Sequence, residues 1–376
     1  MTVILPDPAR AGALLTIDLA AIQHNYRLLQ GRMSGGVCGG VVKADAYGLG
    51  AAQVAPALAA AGCRHFFVAH LEEGIALRAV LPDAPGIFIM HGLPPGTEAE
   101  CREHRLIPVL NSRRQLDAWA GLCRAVGRRE PAVLQVDTGM ARLGLSAEEL
   151  DSVADDPACL DPLSLVAVMS HLACAEDHTN PANEAQLARF RDARRRLPPA
   201  PASLANSSGI FLGDAYQFDI ARPGAALYGV APVAGAENPM RPVVRLQGKV
   251  IQTRSVPAGT PVGYGGTHRT AAPTRIATVA VGYADGFLRS QSNRAVVHVE
   301  AESGAESGAV ALPVLGRVSM DTITVDASAL PDLADGTLVD LLGPHRGVDA
   351  AAEEAGTIGY EILTSLGRRY ARHYVM

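Results

Sequence analysis

The chain lacks the patterns that mark several large protein classes. None of its six cysteines, Cys38, Cys63, Cys101, Cys123, Cys159 and Cys174, is spaced as CxxC or set beside paired histidines, as a zinc site needs. All six fall in the first half of the chain and read as reduced core thiols of a cytoplasmic protein. No metal site is expected. No run approaches the roughly 20 apolar residues of a membrane span. The first apolar stretch, 11–17, follows Asp7, has no basic lead-in and is too short for a secretion signal. Lys and Arg total 33 against 38 Asp and Glu, and a net charge of -5 offers no field for nucleic acid or an anionic membrane. No strand-like run is followed by GxGxxG, so an open dinucleotide-binding sheet lacks its fingerprint.

What is present is an ordinary core: 376 residues, 48% hydrophobic, enough for one large domain and a smaller one. From 14 to about 229, short apolar runs alternate with longer amphipathic stretches, the pattern of strand-helix units around a parallel sheet. The strands are expected at 14–17, 40–42, 66–69, 87–90, 107–110, 132–136, 163–169, 202–205 and 218–221. Helices are expected at 19–30, with Asp18 as N-cap, and at 51–61. This count fits a (β/α)8 TIM-type barrel over 1–235. Beyond Pro232, Gly235 and Pro239 the texture becomes strand-like, with runs at 243–256, 275–281, 295–300, 310–315, 322–325 and 338–342. A mostly β domain over 236–376 is therefore expected, with an exposed hairpin loop at 302–308 and a closing helical stretch at 358–372.

In a barrel enzyme the site is built just after the strands, at one face. Lys43, Arg142, His171, Asn206 with Ser207, and Arg222 all take such positions. A lone Lys or Arg at a strand end is ordinarily a solvated rim charge, and a lone His a core residue; reactive or anion-binding side chains at so many strand ends point to a site. Lys43 closes a short apolar run, where burial lowers an amine toward its neutral, nucleophilic form, able to make a Schiff base. Asn206-Ser207-Ser208-Gly209 reads either as a simple N-cap or as a phosphate cradle of backbone N–H groups and hydroxyls, and Arg222-Pro223-Gly224-Ala225 is a second such turn. In the β domain, Tyr283 sits in a glycine-flanked loop, and Gly316 to Asp321 form another; packing and turn formation are the plain alternatives for both.

Together these segments resemble alanine racemase, a fold type III pyridoxal-phosphate family. Val41-Val42-Lys43-Ala44-Asp45-Ala46-Tyr47-Gly48-Leu49-Gly50 is similar to the family's cofactor-lysine signature, and Val136-Asp137-Thr138-Gly139-Met140-Ala141-Arg142-Leu143-Gly144 to a second motif. Ser170-His171-Leu172, Asn206-Ser207, Arg222-Pro223-Gly224, Leu227-Tyr228-Gly229, Val281 to Gly286, Gly316 to Asp321 and Ile358-Gly359-Tyr360-Glu361 match in the same order.

The resemblance implies an isomerase that interconverts L- and D-alanine with pyridoxal 5'-phosphate, supplying D-alanine for peptidoglycan. It implies a homodimer with shared sites, in which Lys43 carries the cofactor and acts on the D-enantiomer while the partner subunit's Tyr283 acts on the L-enantiomer. A chain from Tyr283 to His171 to Arg222 would lower the phenol, and Arg222 would meet the pyridine nitrogen while keeping its own proton. Tyr47, Ser207, Gly224, Ala225 and Tyr360 would hold the phosphate, with Asn206 beside them. Arg142 and the backbone N–H of the partner subunit's Met320 would hold the substrate carboxylate, and Arg317 and Tyr264 would lie in the access channel.

Two positions depart from the family pattern. Where many relatives carry a carbamylated lysine this chain has Gln135, which brings no charge but can accept a hydrogen bond from Arg142, so no carbamate is expected. Ser319 stands where many have cysteine. The alternatives are a racemase of broader specificity, acting on serine or other amino acids, a fold type III decarboxylase of basic amino acids, and a non-catalytic cofactor carrier. Arg222 argues against the decarboxylase, whose cofactor nitrogen is normally met by a carboxylate; the β domain with Tyr283 and Met320 argues against the carrier.

Overall fold

The computed structural model describes residues 7–83, 86–300 and 308–376; the hairpin loop expected at 302–308 falls outside them apart from Gly308. The chain forms two compact units. One comprises Ile22–Leu227 with Ala231–Met240; the other the residues through Ala21, Tyr228–Val230 and Arg241–Met376.

In the first unit seven strands run in parallel order: Gly40–Val41, His65–Val68, Gly86–Ile89, Ile107–Leu110, Glu130–Gln135, Leu163–Met169 and Ala202–Ser203. An eighth, Ile220–Ala221, pairs with Val37–Cys38, the run that continues through Gly39 into the first of the seven. The Arg222 N–H donates to the Ala205 carbonyl at 2.9 Å, and those of Gly39 and Val41 donate to Ala221 and Pro223 at 2.8 and 3.0 Å, which closes the ring as the expected barrel. Every residue of Gly86–Ile89 and Ile107–Leu110 is buried, as parallel strands covered on both faces must be. The outer helices bury one stripe. In Arg113–Val126 the buried Leu116, Trp119, Ala120 and Cys123 follow the helical spacing, Ser112 caps the start by accepting from the Gln115 N–H, and left-handed Gly127 ends it.

One expected barrel strand lies elsewhere. Ala13–Asp18 pairs antiparallel with Val244–Val256 and parallel with Ala371–Val375, inside the second unit. Its burial alternates residue by residue, the mark of a sheet with one solvated face rather than of a barrel strand. The helix Leu19–Gly31 that follows starts as expected, with the Asp18 carboxylate accepting from the Ala21 N–H at 2.8 Å. The units thus interleave in sequence instead of dividing at 235/236.

The second unit is built on Val244–Val256, which pairs with Ala13–Asp18, Leu338–Leu342 and Thr274–Val279. Val296–Glu300 with Ala309–Pro313 extends the sheet beyond Leu338–Leu342, and Ile323–Asp326 joins Thr274–Val279. The helical stretch expected at 358–372 is only Gly359–Thr364; the chain then turns, with the Gly367 N–H donating to the Asp285 carbonyl, and Ala371–Val375 becomes a strand beside Ala13–Asp18. Tertiary pairing overrides the local helical pattern there.

Gly248, opposite Ala13 and Val339, keeps the centre of this sheet close-packed: a Cβ there would lie 2.5 Å from Val279 Cγ1 and 2.9 Å from Leu341 Cδ1. Overpacking of this kind costs about 1–3 kcal/mol. Gly248→Val is expected to lower the urea midpoint accordingly with an unchanged slope; an unaltered midpoint would refute the packing account.

Candidate active site

Lys43 leaves the strand Gly40–Val41 into a tight turn in which Ala44, Asp45, Ala46 and Tyr47 all have φ between 53° and 55°. Left-handed backbone costs a non-glycine residue about 1–2 kcal/mol, so four in succession are a strained segment held by its surroundings. The Ala46, Gly48 and Gly50 N–H groups bond back to the carbonyls of Val42, Ala44 and Asp45 at 2.8–2.9 Å. Burial lowers the Lys43 amine from its ordinary value, and the Arg142 charge lowers it further, partly offset by Glu73.

Across the barrel Arg222 is 4% exposed and has no carboxylate partner among the described residues. Its Nη1 donates to Ser203 Oγ at 2.5 Å and its Nη2 to the Ser170 carbonyl at 2.7 Å. Nη2 also lies 3.2 Å from His171 Nδ1. Burial pushes the guanidinium down to about 9, still protonated near neutral pH. Since Nη2 can only donate, His171 Nδ1 must accept, which places the imidazole proton on Nε2. Burial, then the charges of Arg222, Arg142 and Lys43, push His171 down to about 3, so it stays neutral. Behind it, buried Gln186 donates to the His171 carbonyl at 2.9 Å and to Thr138 Oγ1 at 3.3 Å, while Thr138 and Ser170 share a 2.7 Å hydroxyl contact.

The phosphate cradle expected at 206–209 and 222–225 is one structure. Ser207 Oγ accepts from the Gly224 N–H at 3.0 Å and from the Ala226 N–H at 3.2 Å, next to Ala225, and Asn206 Oδ1 accepts from the Gly209 N–H at 2.9 Å. A Cβ on Gly224 would sit 2.3 Å from the Tyr47 hydroxyl, so only glycine allows the phenol to reach this turn. A cradle of hydroxyls and backbone N–H groups on the same barrel as a half-buried amine of lowered proton affinity fits pyridoxal 5'-phosphate, which presents a phosphate and an aldehyde.

Arg142 is exposed, and no hydrogen bond joins it to Gln135 among the described residues, contrary to the expected pairing. The reason is local. The Asp137 carboxylate accepts from the N–H groups of Gly139, Met140 and Ala141 at 2.8–2.9 Å, and Ala141 has φ 55°, which shapes the loop without Gln135.

Tyr283, Met320 and Tyr360 belong to the second unit, where they are 42%, 53% and 38% exposed. There the Tyr283 and Ala284 N–H groups donate to Ser319 and Met320 carbonyls, both at 3.0 Å, joining the two loops. A Cβ on Gly282 would meet the Met320 carbonyl at 2.3 Å. Arg369 grips the Asp285 carboxylate with Nε and Nη2 at 2.6 and 2.8 Å and reaches Asp321 at 2.7 Å, while the Tyr370 hydroxyl donates to the Asp285 carbonyl. Arg317 lies against the Tyr264–Gly266 turn, 3.3 Å from a Cβ built on Gly265. The sequence reading missed Glu73, Ser203, Gln186 and the Asp285–Arg369–Asp321 group; the only signal for Glu73 was its place in the third helical position after a strand end.

The "Alanine racemase, N-terminal domain" family profile matches residues 17–232, and the "Alanine racemase, C-terminal domain" profile matches 243–374. A "catabolic" alanine racemase of Mesorhizobium japonicum is 53% identical over 98% of this chain and 94% of its own. An alanine racemase of Rhodospirillum rubrum is 52% identical over 97% and 96%. The crystal structure of alanine racemase from Bartonella henselae, with covalently bound pyridoxal phosphate, superposes with a TM-score of 0.91 at 43% identity, over 97% of this chain and all of that one.

Two outcomes follow from the geometry. Gly224→Ala is expected to displace the Tyr47 phenol and weaken cofactor affinity at least about tenfold, for the loss of one such contact, with the far-UV circular dichroism unchanged; equal affinity by fluorescence titration would overturn it. His171 has a folded value below its unfolded one, so its contribution is complete above about pH 6.5 and is lost as pH falls toward about 3. His171→Gln should therefore lose less stability than the parent between those limits in acid-denaturation scans.

Proposed function

The chain belongs to the alanine racemase family of pyridoxal-phosphate-dependent isomerases, and we propose that it interconverts L- and D-alanine through two opposed bases, Lys43 and the partner subunit's Tyr283. When bound, pyridoxal 5'-phosphate withdraws electrons from the amino acid and makes its Cα–H acidic. Lys43 holds the cofactor and moves the proton on one face. The observation that carries this role is the place of Lys43 just after the strand Gly40–Val41, where burial, and then the Arg142 charge, lower the amine from its ordinary value.

Ser207, Tyr47, Asn206, Tyr360 and the backbone at Gly224 and Ala225 bind the phosphate. Arg222 donates to the pyridine nitrogen and keeps its own proton. His171, with its proton on Nε2, supports the partner subunit's Tyr283 on the opposite face. Arg142 and the partner subunit's Met320 hold the substrate carboxylate. The exposed Tyr283, Met320 and Ile358 of the β unit support a homodimer. Six free cysteines among the described residues support a reducing, cytoplasmic setting.

Two readings of the physiological role are supported. D-alanine supply for peptidoglycan is the first; the name of the Mesorhizobium relative supports breakdown of alanine instead. Deletion in the native host separates them: a requirement for D-alanine marks the first, and loss of growth on alanine alone the second.

In deuterated water the enzyme is expected to place deuterium at Cα of alanine as the opposite enantiomer appears. Tyr283→Phe should abolish inversion yet keep exchange at Cα of D-alanine far faster than at L-alanine; equal exchange of both would sink the two-base assignment. Mixing Lys43→Ala with Tyr283→Phe chains should restore about a quarter of parental activity, since half the dimers are mixed and each has one intact site. No recovery would exclude shared sites.

A further inference from the structure

We propose that Glu73 is a positioning residue for Lys43, its one carboxylate locking the left-handed turn to the start of the neighbouring barrel helix. The inference deepens the reading of Lys43 as the cofactor lysine and rests on it. Glu73 stands in the first turn of the helix Leu71–Val80, which follows the strand His65–Val68 beside the Lys43 strand. Its Oε1 accepts from the Ala44 N–H at 2.6 Å, and its Oε2 from the N–H groups of Ala69 and His70 at 2.7 and 3.1 Å. One side chain thus satisfies three backbone donors on two segments.

The Ala44 bond is the informative one. Ala44 is the residue next to Lys43 and the first of the four left-handed residues, and its N–H has no carbonyl partner within the turn. Without an acceptor there, Ala44 would keep the cost of φ near 53° and lose the bond that offsets it. Asp45 caps the far end, its Oδ1 accepting from the Ala51 N–H at 2.7 Å. At the near end Glu73 adds a side-chain tie to the Ala46 N–H bond to the Val42 carbonyl, and so helps to fix the direction in which the chain carries the lysine.

The charge matters as well as the reach. Lys43 is influenced by Arg142 and Glu73, while His91 is influenced by Lys43, Arg142, Glu73 and His70, whose ring meets it edge-on at 4.7 Å; His171 also feels Lys43 and Arg142. Among these groups only Glu73 is anionic. Removing its charge leaves the Lys43 amine to burial and the Arg142 charge, both of which favour the unprotonated form.

The test traps pyridoxal 5'-phosphate on the apoprotein with borohydride as a function of pH, maps the labelled residue by mass spectrometry and measures cofactor affinity. The variants are Glu73→Gln, Glu73→Ala and Glu73→Asp, with Glu72→Gln, an exposed neighbour on the same helix, as control. Glu73→Gln should move the trapping inflection to lower pH by on the order of one unit and weaken affinity about tenfold. Glu73→Asp keeps the charge but not the reach, and should restore the inflection while affinity stays low. If the Gln and Ala variants do not fold, the Asp variant decides: parental affinity overturns the proposal and weakened affinity supports it. A label on Lys43 with inflection and affinity in Glu73→Gln equal to the control overturns the role of Glu73 alone. A parental label on another residue overturns the reading of Lys43 itself, and this inference with it.

Discussion

A guanidinium held inside the barrel by neutral acceptors alone is the constraint around which the rest of the site is arranged. Arg222 bonds to a serine hydroxyl, a carbonyl and an imidazole nitrogen, so its charge is solvated but not cancelled. A carboxylate partner would have stabilised it more and weakened the positive field it presents. Burial first, and then this field, keep His171 neutral, and the donation from Nη2 fixes its tautomer. It also fixes what stands behind: the Ser170 carbonyl must point at Arg222, and the Thr138 hydroxyl and Gln186 amide hold that segment in place. A lysine could not replace Arg222, because a single ammonium cannot span these acceptors with the same planar fork.

What was legible in the sequence is what depends on burial pattern or on position after a strand. Two-sided burial makes the barrel strands readable as apolar runs, and strand ends pick out Lys43, His171, Ser207 and Arg222. What was not legible depends on reach across space. Glu73 looks like any acidic residue in a first helical turn; Ser203 looks like a small strand residue. The left-handed path of Ala44 to Tyr47 runs against the intrinsic preference of each residue, so no local rule could have found it. Gln135 is expected to accept from Arg142 because it stands where the family pattern has a lysine that holds this arginine, but the Asp137 carboxylate organises that loop by itself. Ala13–Asp18 is expected in the barrel from its order in the chain, and only its alternating burial in the structure marks it as part of a one-sided sheet.

The second unit shows the same economy with backbone. The loops that carry Tyr283 and Met320 are distant in sequence but are joined by two main-chain hydrogen bonds, from Tyr283 to Ser319 and from Ala284 to Met320, and the Asp285–Arg369–Asp321 ion group braces them. A phenol and a peptide N–H presented on one braced platform keep a fixed spacing, which a loop anchored only by side chains would not give. Hydrogen bonding to the two carboxylates raises Arg369 far above its ordinary value, so the brace does not loosen with pH in the working range.

The pairing of Ala13–Asp18 with Ala371–Val375 gives the nascent chain an order of events. Ala13–Asp18 lies in the sheet beside Ala371–Val375, and the barrel segment is synthesised between them. On the ribosome the barrel segment has its complete set of partners long before the β unit does. Ala13–Asp18 must wait unpaired on that edge until Ala371–Val375 has been made, and contacts of such long sequence separation form slowly. Loss of Ala371–Val375 would therefore strip a neighbour from Ala13–Asp18, making this pairing a checkpoint for the sheet that carries Tyr283.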